Sequence, residues 1–138
     1  EWYPSFSDSS GISKQLDNYI KEKNEEFKDA LEQEMTERFN ITMEFVKKCY
    51  PYGFAKNTKT KQVARPYFEA LSVGSYLALK ENPNLIITKE SAEKLLTDPQ
   101  FIASVSGRYQ THRAKTIRAR IDFVKDGLKQ YGYVECKK

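Results

Sequence analysis

Any chemistry that depends on an imidazole must fall on one residue, because the chain contains a single histidine, His112. General-base catalysis needs a base tuned toward the working pH and a partner that orients it. The sequence around His112 offers Arg108, Arg113 and Lys115, cations that disfavour a charged imidazole. Nucleases that hold a metal between paired histidines are excluded by count, and no G-x-x-x-x-G-K-[ST] phosphate loop occurs. Asp17 with Glu26-Phe27-Lys28 matches the acidic-plus-lysine pattern of metal-dependent nucleases only superficially. It lies in helix-forming sequence, whereas that chemistry is mounted on strands. Cys49 and Cys136 are far apart and belong to no C-x-x-C or Cys/His pattern, so neither a zinc site nor a disulfide framework is indicated. No catalytic residue, metal ligand or cofactor is assigned.

The strongest local signal is cationic. Over residues 108–120 the chain reads Arg-Tyr-Gln-Thr-His-Arg-Ala-Lys-Thr-Ile-Arg-Ala-Arg, at the turn into a helix and along its first turns. A helix start adds exposed N–H groups and a favourable dipole for phosphate. Arg108, Arg113, Lys115, Arg118 and Arg120 are therefore the candidate nucleic-acid contacts. The opposing reading is that an amphipathic helix must carry charge somewhere and that arginine stems pack against neighbours. A second cluster, Lys56, Lys59, Lys61 and Arg65, sits beside Tyr50, Tyr52, Phe54 and Tyr67. Cations interleaved with aromatics can hold single strands, but aromatics near helix ends more often close a core.

These clusters sit in a chain of 138 residues with net charge +4. That length fits one domain that can bury roughly two-thirds of its unfolded surface. The charge is unevenly spread: residues 1–50 carry 7 basic and 11 acidic groups, and residues 51–138 carry 16 and 8. The basic portion can attract phosphate or an acidic partner. No apolar run approaches the ~18 residues of a membrane span, and no signal-peptide pattern opens the chain. A reduced, cytoplasmic setting is the expectation. The chain opens on Glu1, and we expect a piece of a longer protein.

Apolar periodicity predicts an all-α fold, an irregular bundle of about six helices without a significant sheet. Residues 1–11 read as an extended lead-in. Residues 12–50 hold the first two helices or one bent helix. Ile12, Leu16, Tyr19 and Ile20 mark the first, and Asn24 before Glu25 and Glu26 predicts the cap of the second. Phe27, Leu31, Met35, Phe39, Thr42, Val46 and Cys49 then recur at steps of three and four. Residues 51–65 form a basic loop, and 66–138 hold the remaining helices. Pro66 opens a helix burying Phe68, Leu71, Tyr76, Leu77 and Leu79, with Gly74 marking a close helix contact. Leu85-Ile86-Ile87 is too short to build a sheet. Thr88 and Asp98-Pro99 cap two short helices, Gly107 ends the second, and Ile117, Ile121, Val124, Leu128 and Tyr131 define a last helix that Gly132 terminates.

With the segments in this order, the chain resembles the C-terminal helical region of the domain of unknown function 262 family, relatives of modification-dependent restriction enzymes. The similar stretches are Ile12-Ser13-Lys14-Gln15-Leu16-Asp17-Asn18-Tyr19-Ile20, then Tyr52-Gly53-Phe54-Ala55-Lys56 after a long helix, then Tyr67-Phe68-Glu69-Ala70-Leu71-Ser72-Val73, and a last helix with Arg120-Ile121. Family members often place an arginine after the loop's Phe-like position, where this chain has Ala55-Lys56. The resemblance covers residues 12–131. It implies a bacterial, DNA-directed defence protein whose chemistry lies in an N-terminal sulfiredoxin/ParB-like domain carrying an Asp-Gly-Gln-Gln-Arg motif. That motif is absent from this chain, so no family catalytic residue is carried onto it. Two roles follow as expectations: an accessory domain that positions DNA or packs on its own N-terminal catalytic domain, or an oligomerisation module whose first two helices dock partner helices, including those of a second copy. A membrane partner is not expected, and neither is catalysis by this chain alone.

Overall fold

Where a helix starts and stops here is set by local chemistry that can be followed residue by residue. The computed structural model describes residues 11–57, 62–106 and 112–134. Helix accounts for 75% of them, in six segments. The first, α1 (Ile12–Glu26), runs straight through Asn24 and ends where Phe27 turns extended. The predicted cap at Asn24 is thus corrected. The break falls at Phe27 and Lys28, and α2 (Asp29–Cys49) begins with Asp29 and Glu32 in its first turn, where the helix dipole favours carboxylates. Pro51 follows α2 after a single residue, Tyr50, and the chain then passes through turns over residues 51–57 in which Gly53 takes a positive φ of 57°.

Helix α3 (Arg65–Glu81) has its proline in the first turn, where the missing N–H costs nothing. Its buried face is Tyr67, Ala70, Leu71, Gly74, Ser75, Ala78 and Leu79. Leu71 and Leu79 are buried as predicted, but Phe68 is exposed, its ring tilted against Phe54 with centroids 4.7 Å apart, and Tyr76 and Leu77 are only half-buried. In their place the small residues Ala70, Gly74, Ser75 and Ala78 fill the inward face. Their purpose is close approach to α6 (Ala114–Tyr131). A Cβ built on Gly74 would lie 2.8 Å from Val124 Cβ and 3.0 Å from the Ile121 carbonyl oxygen. The close contact expected at Gly74 is present, with α6 as the partner.

Two short helices brace this pair. Thr88 Oγ1 accepts a hydrogen bond from the Ser91 N–H at the start of α4 (Lys89–Leu96), and Asp98 accepts from Gln100 N–H at 2.8 Å before α5 (Pro99–Val105). Both predicted caps form. Ser106 is the C-terminal cap of α5, and Gly107 lies outside the described residues. Helix α6 stops at Gly132, as expected. The chain then pairs briefly: β1 (Leu85–Ile86) and β2 (Tyr133–Val134) form a two-stranded antiparallel ribbon with Leu85 opposite Val134. A side chain at Gly132 would meet the Leu128 and Ile86 carbonyl oxygens at 2.4 and 3.0 Å, so the return to β1 requires a glycine.

The core gathers α3, α6, α4, α5 and the C-terminal half of α2, centred on Leu71, Phe101, Val124 and Leu128. Phe101 lies between Tyr67 and Phe123, with ring centroids 5.6 and 5.7 Å away. Tyr50 donates to or accepts from Ser75 Oγ at 2.7 Å, which satisfies a phenol that is otherwise fully enclosed. Burial pushes the Tyr50 phenol well above its ordinary pKa and that of Tyr67 up to about 12. Among the described residues no helix is long and apolar enough to cross a membrane.

Gly74→Ala tests the α3–α6 contact directly. The added methyl gains up to ~1 kcal/mol of helix propensity, but it strikes a β-carbon and a backbone oxygen that cannot move without shifting α6. We expect a net loss of about 1–3 kcal/mol in urea unfolding, the range for overpacked cores.

Candidate functional site

The predicted cationic surface is only partly a surface. Arg120 is 2% exposed, and its guanidinium pairs with Glu69 of α3 in the α3–α6 seam. As a contact for nucleic acid Arg120 is therefore corrected to a core residue. The reason is positional: it lies three residues after Ile117 and four before Val124, both buried, so the helix turns it inward. The same spacing, read in the sequence, was the available signal. Of the others, Arg113 and Lys115 are exposed at the start of α6 and Arg118 is half-buried with interactions of its own, while Arg108 lies outside the described residues. His112 is exposed.

The rest of the stripe on α6 is neutralised locally. Lys125 Nζ lies 3.4 Å from Asp122 and 3.6 Å from Asp126, and Lys129 Nζ lies 2.6 Å from Glu81 at the end of α3. The hydrogen bond from Lys129 draws the Glu81 carboxyl below its usual pKa. Burial of the Lys125 stem works against its charge, but Asp122, Asp126 and Glu81 hold its pKa above the ordinary lysine value. The second cluster is thinner still. Lys56 and Arg65 are exposed, and Lys59 and Lys61 lie outside the described residues. Tyr50 and Tyr67 are buried and Phe54 packs against the core, so these three aromatics close the bundle, and Tyr52 alone of the four is exposed.

Groups for metal or acid–base chemistry are equally dispersed. Among the described residues no three His, Cys, Asp or Glu side chains come together as a metal site. Glu26 ends α1 and pairs with Lys23 at 3.0 Å, and Lys28 sits in the break before α2, so the nuclease-like triplet is not on a strand. Cys49 is buried, and loss of solvent raises its thiol pKa. A cleft of about 300 Å³ between α4 and α6 is lined by Asp98, Asp126, Phe123 and Tyr131. Its acids already serve other partners: Asp98 caps α5 and Asp126 faces Lys125.

Another feature has no packing partner among the described residues. Sequence periodicity treats all of residues 27–49 as one core face, yet only Thr42, Phe45, Val46 and Cys49 of α2 are buried. Further toward the N-terminus the same face carries Phe27 at 53% exposure, Met35 at 39% and Phe39 at 60%. These three, with Glu32 and Thr36, line a shallow groove of about 280 Å³. Helix α1 adds exposed Leu16 and Ile20; Gln15 is buried, Gln15 and Tyr19 have interactions of their own, and among the described residues α1 forms no substantial packing interface with another element. This α1–α2 arm, α1 with the N-terminal half of α2, thus carries exposed apolar side chains, a row of them at the groove. Scattered surface hydrophobics are ordinary, but a contiguous row of large ones marks an interaction surface.

No family model matches the chain, and neither the curated proteins nor the solved structures contain a match to it. The site is therefore read from its own geometry.

The reassigned arginine gives a clear contrast in stability. Arg120→Met should cost about 2 kcal/mol, less than the ~3–5 of a fully enclosed pair, because Glu69 keeps 32% of its side chain exposed. Lys115→Met should change stability by less than ~0.5 kcal/mol. Chemical unfolding of the two variants beside the parent chain measures both.

Proposed function

We propose that this chain is a non-catalytic accessory domain that works by docking, with the α1–α2 arm as its contact surface. The observation that supports this is the exposed row of Phe27, Met35 and Phe39, the last two in phase with the buried face of α2, with nothing set against it among the described residues. Exposing such side chains forgoes ~1.5–3 kcal/mol for each one that a partner would fully bury. The resemblance to the C-terminal region of the domain of unknown function 262 family supplies the partner: the catalytic domain that precedes this region in a bacterial, DNA-directed protein. The reading assigns the chemistry to that domain and none to this chain.

A second reading, contact with nucleic acid at the start of α6, is favoured by the exposure of Arg113 and Lys115 there. Such contacts would be to phosphate and indifferent to sequence. These two cations give a log–log salt slope of about −2 on duplex DNA at roughly −0.9 per phosphate.

Titration of this chain with the separately produced N-terminal domain tests the docking reading. Binding is expected, weakened at least ~10-fold (about 1.4 kcal/mol) by Met35→Ser with Phe39→Ser, while the melting temperature stays within about 2 °C because neither side chain is packed. Absence of binding, or binding that ignores the double variant, would overturn it.

A further inference from the structure

The charge around the stripe restricts what can cover it. Residues 22–37 carry seven carboxylates, Glu22, Glu25, Glu26, Asp29, Glu32, Glu34 and Glu37, against Lys23 and Lys28. Both Lys23 and the neighbouring Arg38 are committed within the arm, Lys23 to Glu22 and Glu26 and Arg38 to Glu34. Arg38 also lies 5.7 Å from the centre of the Tyr76 ring. No cation pairs with Asp29, Glu32 or Glu37 among the described residues, and Glu32 forms part of the groove wall itself. Over residues 27–39, which span the row of apolar anchors, Asp29, Glu32, Glu34 and Glu37 stand against Lys28 and Arg38, a net charge of −2, and the Arg38 charge is taken up by Glu34.

An isologous dimer through this face would set that charge against its own copy. Juxtaposed like charges at an interface are strongly disfavoured, and a partner of opposite sign gains both steering and register. The exposed part of the stripe on α2, from Asp29 to Ile41, spans about 20 Å at ~1.5 Å per residue, a little over three turns of helix. A helix laid along such a groove presents apolar side chains at steps of three and four.

Resting on the docking reading, we infer that the occupant is a basic amphipathic helix of about three to four turns. Its leucine-like side chains enter the row formed by Phe27, Met35 and Phe39, and its lysines or arginines meet Glu32 and the carboxylates beside the groove. The contact is helix-in-groove in kind, with affinity from the apolar row and orientation from the rim.

The test uses the intact chain and two synthetic peptides of about 14 residues, one of leucine and lysine in amphipathic helical register and one with glutamate at every lysine position. Fluorescence anisotropy of labelled peptide should show binding of the lysine peptide, weakened about 10-fold or more by Met35→Ser with Phe39→Ser. Glu32→Lys with Glu37→Lys, which leaves the apolar row intact, should weaken it by a similar factor, as should raising the salt several-fold, because rim charges are screened. The glutamate peptide should not bind. If both peptides bind equally and both respond to the Met35/Phe39 variant, docking stands and the basic-helix assignment falls. If neither responds to that variant, both fall. A stable dimer by light scattering that the Met35/Phe39 variant dissociates would replace the basic helix with a second copy of the chain.

Discussion

Most of this structure depends on how closely α3 and α6 can approach each other. At Gly74 a single β-carbon would already intrude on Val124 and the Ile121 carbonyl, and the small face of Ala70, Gly74, Ser75 and Ala78 keeps the two helices in contact along their length. That proximity brings Glu69 to Arg120 across the seam and Glu81 to Lys129 at its far end. It also leaves room on the remaining sides for α4, α5 and the lower half of α2, whose Phe45, Val46 and Cys49 complete the core. All the buried residues of α2 lie in its C-terminal half, from Thr42 to Cys49, and its N-terminal half is surplus to that core.

The surplus explains the division of labour within the chain. The C-terminal half of α2 is structural, and its sequence changes character little as it leaves the bundle. The same three- and four-residue steps continue through Phe39, Met35 and Leu31, but Phe39 and Met35 are exposed and Leu31 only half-buried. Charge follows the same partition: the acidic excess collects around the projecting arm, while the basic residues of α6 are largely consumed by Glu69, Glu81, Asp122 and Asp126. Within residues 108–120 the pairing with these carboxylates falls on Arg120, whose partner is Glu69, while Arg113 and Lys115 stay exposed.

The fold class was legible because apolar periodicity, prolines and cap residues report on local structure. Thr88, Asp98-Pro99 and Gly132 act where the sequence places them. Two kinds of information were not legible. Periodicity weights large apolar side chains, so it chose Phe68 and Tyr76 over the alanines, glycine and serine that form the buried face of α3. It also says that a face is apolar without saying whether anything covers it, so Phe39 at 60% exposure and Val46 at 3% look alike along the chain. Arg120 falls between the two cases. Its spacing from Ile117 and Val124 points inward, but its charge pointed the reading outward, and only the position of Glu69 on another helix decides the matter.

On the docking proposal, the exposed row of Phe27, Met35 and Phe39 has nothing set against it among the described residues. Residue-resolved hydrogen–deuterium exchange on the chain alone addresses this directly, since protection tracks the free energy of local opening. The account predicts weak protection for amides in Ile12–Glu26 and in the first three turns of Asp29–Cys49, with global-level protection confined to α3, α6 and the end of α2. Protection of the arm equal to that of α3 and α6 would mean that its apolar face is already covered, and would contradict the account.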